Sequence, residues 1–244
     1  TDGRSLVVSR DGKLISIRNA SNKVVRRFSI TPERISASAT MLASGKVLVW
    51  GGTDARGQVQ EGGLIFDSAA QSLVPFGQTS ISSRAGHTAT LLTDGSVLFA
   101  GGVGADNTAE LWNETTDVVT PLRLGQVSFD SNHQAALQRD GSVRLIGVNS
   151  TSQRGNGSLA FDPATNSLRP ASDTTEGNVG LAESVPANGA KEVPPGSPLA
   201  LRFTHQIRVR DLSAHRITLL GPGGAARINV VGAEGGRLAF IHPS

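Results

Sequence analysis

Apolar residues in this 244-residue chain come in short runs separated by clusters of Gly, Asp, Asn, Ser and Thr. Val47–Trp50 and Val97–Ala100 are continuous apolar runs, the pattern of strands buried on both faces. Leu199, Leu201 and Phe203 alternate instead with Ala200, Arg202 and Thr204, which predicts a strand with one buried face. No stretch sustains a 3.6-residue period, so the chain reads as strands and turns throughout. Asp94-Gly95 and Asp140-Gly141, each between two apolar runs, predict tight hairpins with both turn residues at positive φ. Asp67, Asn113 and Asp162 each follow an aromatic residue and predict Asx turns, in which the side chain accepts from the backbone two residues on.

The pattern repeats. Segments 6–17, 39–52, 89–102 and 135–148 align on the turn glycines Gly12, Gly45, Gly95 and Gly141, which lie 33, 50 and 46 residues apart. A second element follows the last three, ending at Pro75, Pro121 and Pro170, spaced by 46 and 49 residues. Two markers with one period of nearly 50 predict a repeated antiparallel sheet of about four strands. Gly51-Gly52 and Gly101-Gly102 close the second strand where backbones crowd.

The stretch Arg84-Ala-Gly-His-Thr-Ala-Thr-Leu-Leu-Thr-Asp-Gly-Ser-Val-Leu-Phe-Ala-Gly-Gly102 resembles a kelch repeat of the bacterial, galactose-oxidase-like kind, and Ala109-Glu-Leu-Trp-Asn113 resembles that family's Ala-Glu-Leu-Tyr-Asp segment. The resemblance covers residues 1–172 as roughly three and a half units, and implies β-propeller blades, too few to close a ring. The last unit departs, with Gly147-Val148 in place of the double glycine. Residues 173–180 are polar and read as a linker. Residues 181–244 resemble the bacterial Ig-like domain of surface-layer and adhesin-type proteins, through Pro186-Ala-Asn-Gly-Ala190, Leu201-Arg-Phe203 and Phe240-Ile-His-Pro-Ser244. That resemblance implies a small sandwich, with further strands over Ile217–Leu220, Ile228–Val231 and Leu238–Ile241. The expected fold is therefore all-β, kelch-type blades in an incomplete ring plus an Ig-like sandwich.

Composition narrows the chemistry. With no Cys and no Tyr, disulfides, thiol nucleophiles and tyrosyl chemistry are excluded. The radical copper oxidases, the enzymes nearest this resemblance, use two tyrosines, two histidines and a cysteine cross-link, so their site cannot be built from these residues. His87 and His133 stand at equivalent places in successive units and read as structural; the remaining histidines show no metal-ligand spacing. Gly101-Gly102-Val103-Gly104 opens no helix and cradles no phosphate. Neither a metal nor a cofactor is expected. Net charge is +3, all of it over residues 181–244, where Arg202, Arg208, Arg210 and Arg216 cluster; the surplus is too small to imply nucleic acid. Asn-x-Ser/Thr occurs at Asn19, Asn113, Asn149 and Asn156, which matters only after eukaryotic secretion. No apolar run approaches a membrane span, and the ends read as those of a piece of a longer protein.

The resulting expectation is a non-enzymatic recognition or scaffold segment of a large secreted or surface bacterial protein, adhesin-like or of the Rhs (YD-repeat) type, extracellular, with a protein or glycan partner besides the rest of its parent chain. The alternative is a fragment of a carbohydrate-active enzyme whose catalytic residues lie outside these 244. The loops after the double-glycine strands are the candidate binding surface, with Asp54, Arg56, Asp106 and Asn107 the side chains expected to contribute.

Overall fold

A computed structural model describes residues 4–77, 80–105, 107–150, 158–171, 178–221 and 223–243. The protein is all-β, with separate antiparallel sheets, two single 3-10 turns and no closed barrel among the described residues. Sheet I holds β1 (Ser5–Val8), β2 (Leu14–Arg18) and β3 (Val24–Ser29). Sheet II is the up-and-down meander β4 (Ser38–Met41), β5 (Val47–Trp50), β6 (Gly63–Asp67) and β7 (Ser72–Phe76). Sheet III repeats it as β8 (Thr88–Leu91), β9 (Ser96–Ala100), β10 (Ala109–Asn113) and β11 (Val118–Leu122). Sheet IV repeats it again as β12 (Val127–Leu137), β13 (Val143–Ser150), β14 (Ser158–Asp162) and β15 (Ser167–Pro170). The first strands β4, β8 and β12 lie side by side, so the sheets fan out from a common inner row.

Both turn types have clear causes. At Gly95 the Leu92 amide donates to Ser96 O and the Gly95 amide to Leu92 O, so the loop is Thr93-Asp94-Gly95 rather than a two-residue turn. Only the glycine takes positive φ, +85°, while the Asp94 carboxylate accepts from the Ser96 amide at 2.9 Å. This is a type I turn closed by a glycine bulge, which corrects the expectation of positive φ at both residues. Gly45 and Gly141 build the same loop. Asp67, Asn113 and Asp162 form Asx turns, accepting from Ala69, Thr115 and Ala164 respectively.

The first sheet is registered differently from the sequence alignment. Its Asn19 Oδ1 accepts from Ser21 N and Lys23 N, and Asn22 has φ +62°, matching Gln71, Asp117 and Asn166 at +51°, +54° and +50°. The turn after β2 is thus the turn between third and fourth strands elsewhere, and Asn19, Asp67, Asn113 and Asp162 are 48, 46 and 49 residues apart. The anomalous spacing of 33 came from pairing Gly12 with Gly45. Gly12 instead has φ +67° and abuts Arg34–Ile35 of the next sheet, as Gly51 (φ +65°) abuts Arg84. Strands β1, β2 and β3 therefore hold second, third and fourth positions.

The remaining region, 181–243, forms a sheet ordered β16 (Leu181–Val185), β17 (Leu199–Phe203), β21 (Leu238–Pro243), β20 (Ile228–Ala233). A two-stranded ribbon joins β18 (Leu220–Gly221) to β19 (Gly224–Ala225). The strand expected over Ile217–Leu220 is reduced to its last residue. The Arg216 and Ile217 amides both donate to Ser213 O, which closes a turn there while the Ile217 side chain still packs inward. Of the polar stretch read as a linker, residues 173–177 lie outside the described residues, as does Asn156. Gly180 already pairs with Thr204.

This region is not one-faced. Leu199, Leu201, Phe203, Ala239 and Ile241 pack on its own core, but Ala200, Val231, Ala233, Leu238 and Phe240 join the main core beneath sheets II–IV. Its second face sits on the hairpin turns. Arg202, expected in an exposed basic cluster, is buried there, donating through Nε to Thr93 Oγ1 at 3.1 Å and through Nη2 to Glu183 at 2.5 Å; Arg208, Arg210 and Arg216 are exposed. His242 Nε2 lies 2.8 Å from Ala43 O.

The junction holds a buried acid. The Leu91 amide donates to Glu234 Oε1 at 2.8 Å, and burial pushes this carboxyl up from 4.5 to about 7. A carboxyl with a raised folded pKa holds its proton better folded than unfolded. Its contribution is complete below pH 4.5, is lost between 4.5 and 7, and leaves a constant penalty above. Glu234→Gln keeps an acceptor for Leu91 and should stabilise the protein at pH 8 by up to about 3 kcal/mol, with little change at pH 4. Urea unfolding at both pH values reads this; an equal effect at both would mean the carboxylate is solvated.

Candidate functional site

The double glycines lie at the end of the sheets opposite the hairpin turns, and close packing explains them. A methyl on Gly51 would sit 1.9 Å from Arg84 O of the next sheet, and one on Gly101 would sit 2.7 Å from Phe129 and 2.8 Å from His133. The second glycines are crowded as well: a methyl on Gly52 would meet Arg34 at 2.8 Å and one on Gly102 would meet Ala85 O and His87 at 2.8 Å. Only residues without Cβ let the backbones approach this far.

Arginines tie the same end together. Arg34 Nη1 donates to Gly51 O (2.8 Å) and Gly62 O (3.0 Å), and its Nη2 to Glu61 O (2.9 Å). Arg84, 50 residues on, donates through Nη1 to Gly101 O at 3.0 Å. Its Nη2 lies 3.1 Å from Glu110 Oε1, an ionic contact rather than an aligned hydrogen bond. Burial pulls the Arg84 pKa down and Glu110 opposes it. The equivalent position in sheet IV is Asp130, so that sheet lacks both the arginine and the second glycine. Trp112, Phe76, Trp50 and Phe99 form a continuous aromatic ladder from sheet II to sheet III, with centroids 5.4–6.2 Å apart.

The two buried histidines serve the seams. His133 places Nδ1 and Nε2 each 2.9 Å from the carbonyl oxygens of Asp130 and Ala100. His87 Nε2 lies 2.8 Å from Ser38 Oγ, a hydroxyl–imidazole contact that nothing in the sequence announces. Three features disarm it as a nucleophile and base. Nδ1 of His87 has no partner among the described residues, so no carboxylate orients the ring. Burial, with Arg84 and His133 adding, drives its pKa down to about 3. The ring is also enclosed against Phe99 at 5.9 Å. A base working near neutrality needs a pKa near the working pH. Among the described residues no cluster of His, Asp or Glu could hold a metal ion.

The candidate loops lie at this end. Asp54 Oδ1 accepts from the Arg56 and Gln58 amides, both at 2.9 Å, so Asp54 shapes the loop and leaves Arg56 exposed. Asn107, at φ +58°, accepts the Phe129 amide at 3.3 Å and bridges to sheet IV. Asp106 lies outside the described residues. A methyl on Gly104 would reach Val59 at 3.3 Å, so the loop of Asp54 and Arg56 adjoins the loop of Asn107. Beside Asn107 a cleft of about 390 Å³ runs between Gly86 and Gly102 on one side and Phe129, Asp130 and Ser131 on the other. Phe129 and Asp130 were missed in the sequence; the alignment of Asp130 with Arg84 across the 46-residue step was the available signal.

The fold and this end define a class: an all-β chain of repeated up-and-down sheets with a loop-bearing end and a covered turn end. No family model matches the chain. No curated protein matches it either.

Proposed function

We propose that this chain is a recognition and scaffold segment, built of kelch-type propeller blades followed by an Ig-like sandwich, that binds a protein or glycan at its double-glycine end. The observation that carries the reading is the asymmetry of the two ends. The C-terminal region covers the hairpin turns, while Arg56 and Asn107 stand exposed on adjoining loops beside the 390 Å³ cleft. Phe129 offers an aromatic surface there, and Asp130 and Asn107 offer polar groups, a set suited to a sugar or a polar peptide. Binding without catalysis fits the disarmed Ser38–His87 contact and the absence of Cys and Tyr. By domain company, the parent is an extracellular or surface bacterial protein of adhesin or Rhs type.

Screening the chain against arrayed glycans and surface proteins, then titrating the best binder, tests this. The quadruple variant Asp54→Ala, Arg56→Ala, Asp106→Ala, Asn107→Ala should bind at least about tenfold more weakly, or about 1.4 kcal/mol. Full affinity in a variant with an unchanged melting curve would remove the loop site.

A further inference from the structure

Sheets I to IV each end on an outer strand, β3, β7, β11 and β15, whose far edge has no partner strand among the described residues. Three of these edges carry a proline at the same place. Pro75, Pro121 and Pro170 each stand eight residues after the Asx residue of the preceding turn, Asp67, Asn113 and Asp162. Eight residues after Asn19, sheet I has Arg27 instead. An edge proline withholds a donor from any strand that approaches, one of the ways in which sheet edges are blunted. Of the four outer edges only that of β3 lacks it, and this edge lies across the sheet from β1.

The backbone of that edge is open as well. The Ile30 amide donates to Lys13 O, while Leu14 bonds Ser9 through both its carbonyl and its amide. Bonded and non-bonded pairs alternate in an antiparallel ladder, so Ser29, opposite Leu14, and Arg27, opposite Ser16, direct N–H and C=O outward. The register slips only at Val25, and Arg26–Ser29 is unbroken. Arg26, Arg27 and Ser29 are exposed. Successive residues face opposite sides of a sheet, so Arg26 and Arg27 flank the edge on its two faces. Arg26 is held over the Phe28 ring, 4.9 Å from its centroid. Neither arginine has an acidic partner among the described residues. Residues 18–29 carry four Lys or Arg and no acid, whereas the matching spans 66–77, 112–123 and 161–172 each contain one or more. Such charge repels the same edge of a second copy and leaves the strand open to one of opposite sign.

We propose that the outer edge of β3 is a docking site for an extended acidic segment of a partner protein, which pairs with Arg27 and Ser29 as an added strand and sets carboxylates beside Arg26 and Arg27. Main-chain hydrogen bonds supply the pairing, and the opposed charges select the partner. A polyanionic glycan fits less well, since the two arginines lie on opposite faces and form no single charged surface.

The test titrates the full chain with the peptide Thr-Val-Glu-Glu-Val-Thr and reads amide hydrogen exchange residue by residue. The Arg27 and Ser29 amides should slow at least about tenfold at saturating peptide, while those of Arg26 and Phe28, already bonded to β2, change little. Arg27→Pro gives this edge the residue of its three counterparts and should abolish the protection of Ser29. A peptide N-methylated at alternate amides on its pairing edge, offered to the unaltered chain, should protect neither amide and makes the same test without a substitution. A copy with Lys for both Glu should bind more weakly at low salt. No slowing at millimolar peptide, protection of Ser29 that survives Arg27→Pro, or equal binding by the N-methylated or Lys copy would overturn the proposal. So would equal protection of both amides by a heparin fragment, which would make the site a polyanion surface instead.

Discussion

Glu110→Ala should lower the unfolding free energy by about 3–5 kcal/mol, because it strands a charged guanidinium in the core. The Arg84 side chain is 0% exposed, and its Nη2 has Glu110 Oε1 at 3.1 Å. Its remaining nitrogens are held by main-chain oxygens, Nη1 by Gly101 at 3.0 Å and Nε by Ser82 at 3.3 Å, which supply no compensating charge. Glu110 also accepts from the Ser82 amide at 3.0 Å and from the Ser82 hydroxyl, so its loss frees two half-buried donors as well. Urea denaturation reads the effect. The double variant Arg84→Leu, Glu110→Leu should recover much of it, since removing both charges removes the desolvation cost with them. A loss below about 1 kcal/mol in the single variant would show that water reaches the guanidinium.

Gly51→Ala should cost about 2–4 kcal/mol, combining left-handed backbone strain with overpacking. The added methyl meets a carbonyl oxygen, Arg84 O at 1.9 Å, which cannot swing away as a side chain could. Gly57→Ala separates the two causes. Gly57 has φ +80°, and nothing lies within 4 Å of the place its methyl would take, so only the backbone share, about 1 kcal/mol, should appear. Equal losses at both glycines, in differential scanning calorimetry, would mean that the sheets move apart at no cost.

The strands of sheets II–IV were legible because their signals are local. Apolar runs, turn glycines and Asx residues act within a few positions of one another, and each element formed where those residues stand. The first sheet was misregistered because Asp11-Gly12 mimics the turn of the first hairpin; the Asn19 turn, 48 residues before Asp67, and the contact of Gly12 with Arg34 reveal its place. Arg202 was misread for a related reason. Its alternation with Leu201 and Phe203 marks it as facing away from one core, and nothing nearby in sequence announces that Thr93, 109 residues earlier, forms a second. Asp54 and Asn107 stand on adjoining loops, but the role of Asp54 was not legible, since a carboxylate that organises its own loop and one that waits for a ligand look alike in sequence.

The cover over the hairpin turns has a consequence for the order of folding. Its bonds span long stretches of chain: Glu234 reaches back 143 residues to Leu91, and His242 reaches back 199 to Ala43. At synthesis rates of 5–20 residues per second, about 7–29 s separate the emergence of Leu91 from that of its partner. Through that interval sheets II and III can assemble while the apolar patch later covered by Val231, Leu238 and Phe240 faces water. Folding that closes with such distant contacts is slow, and the cover over the hairpin turns waits on β20 and β21.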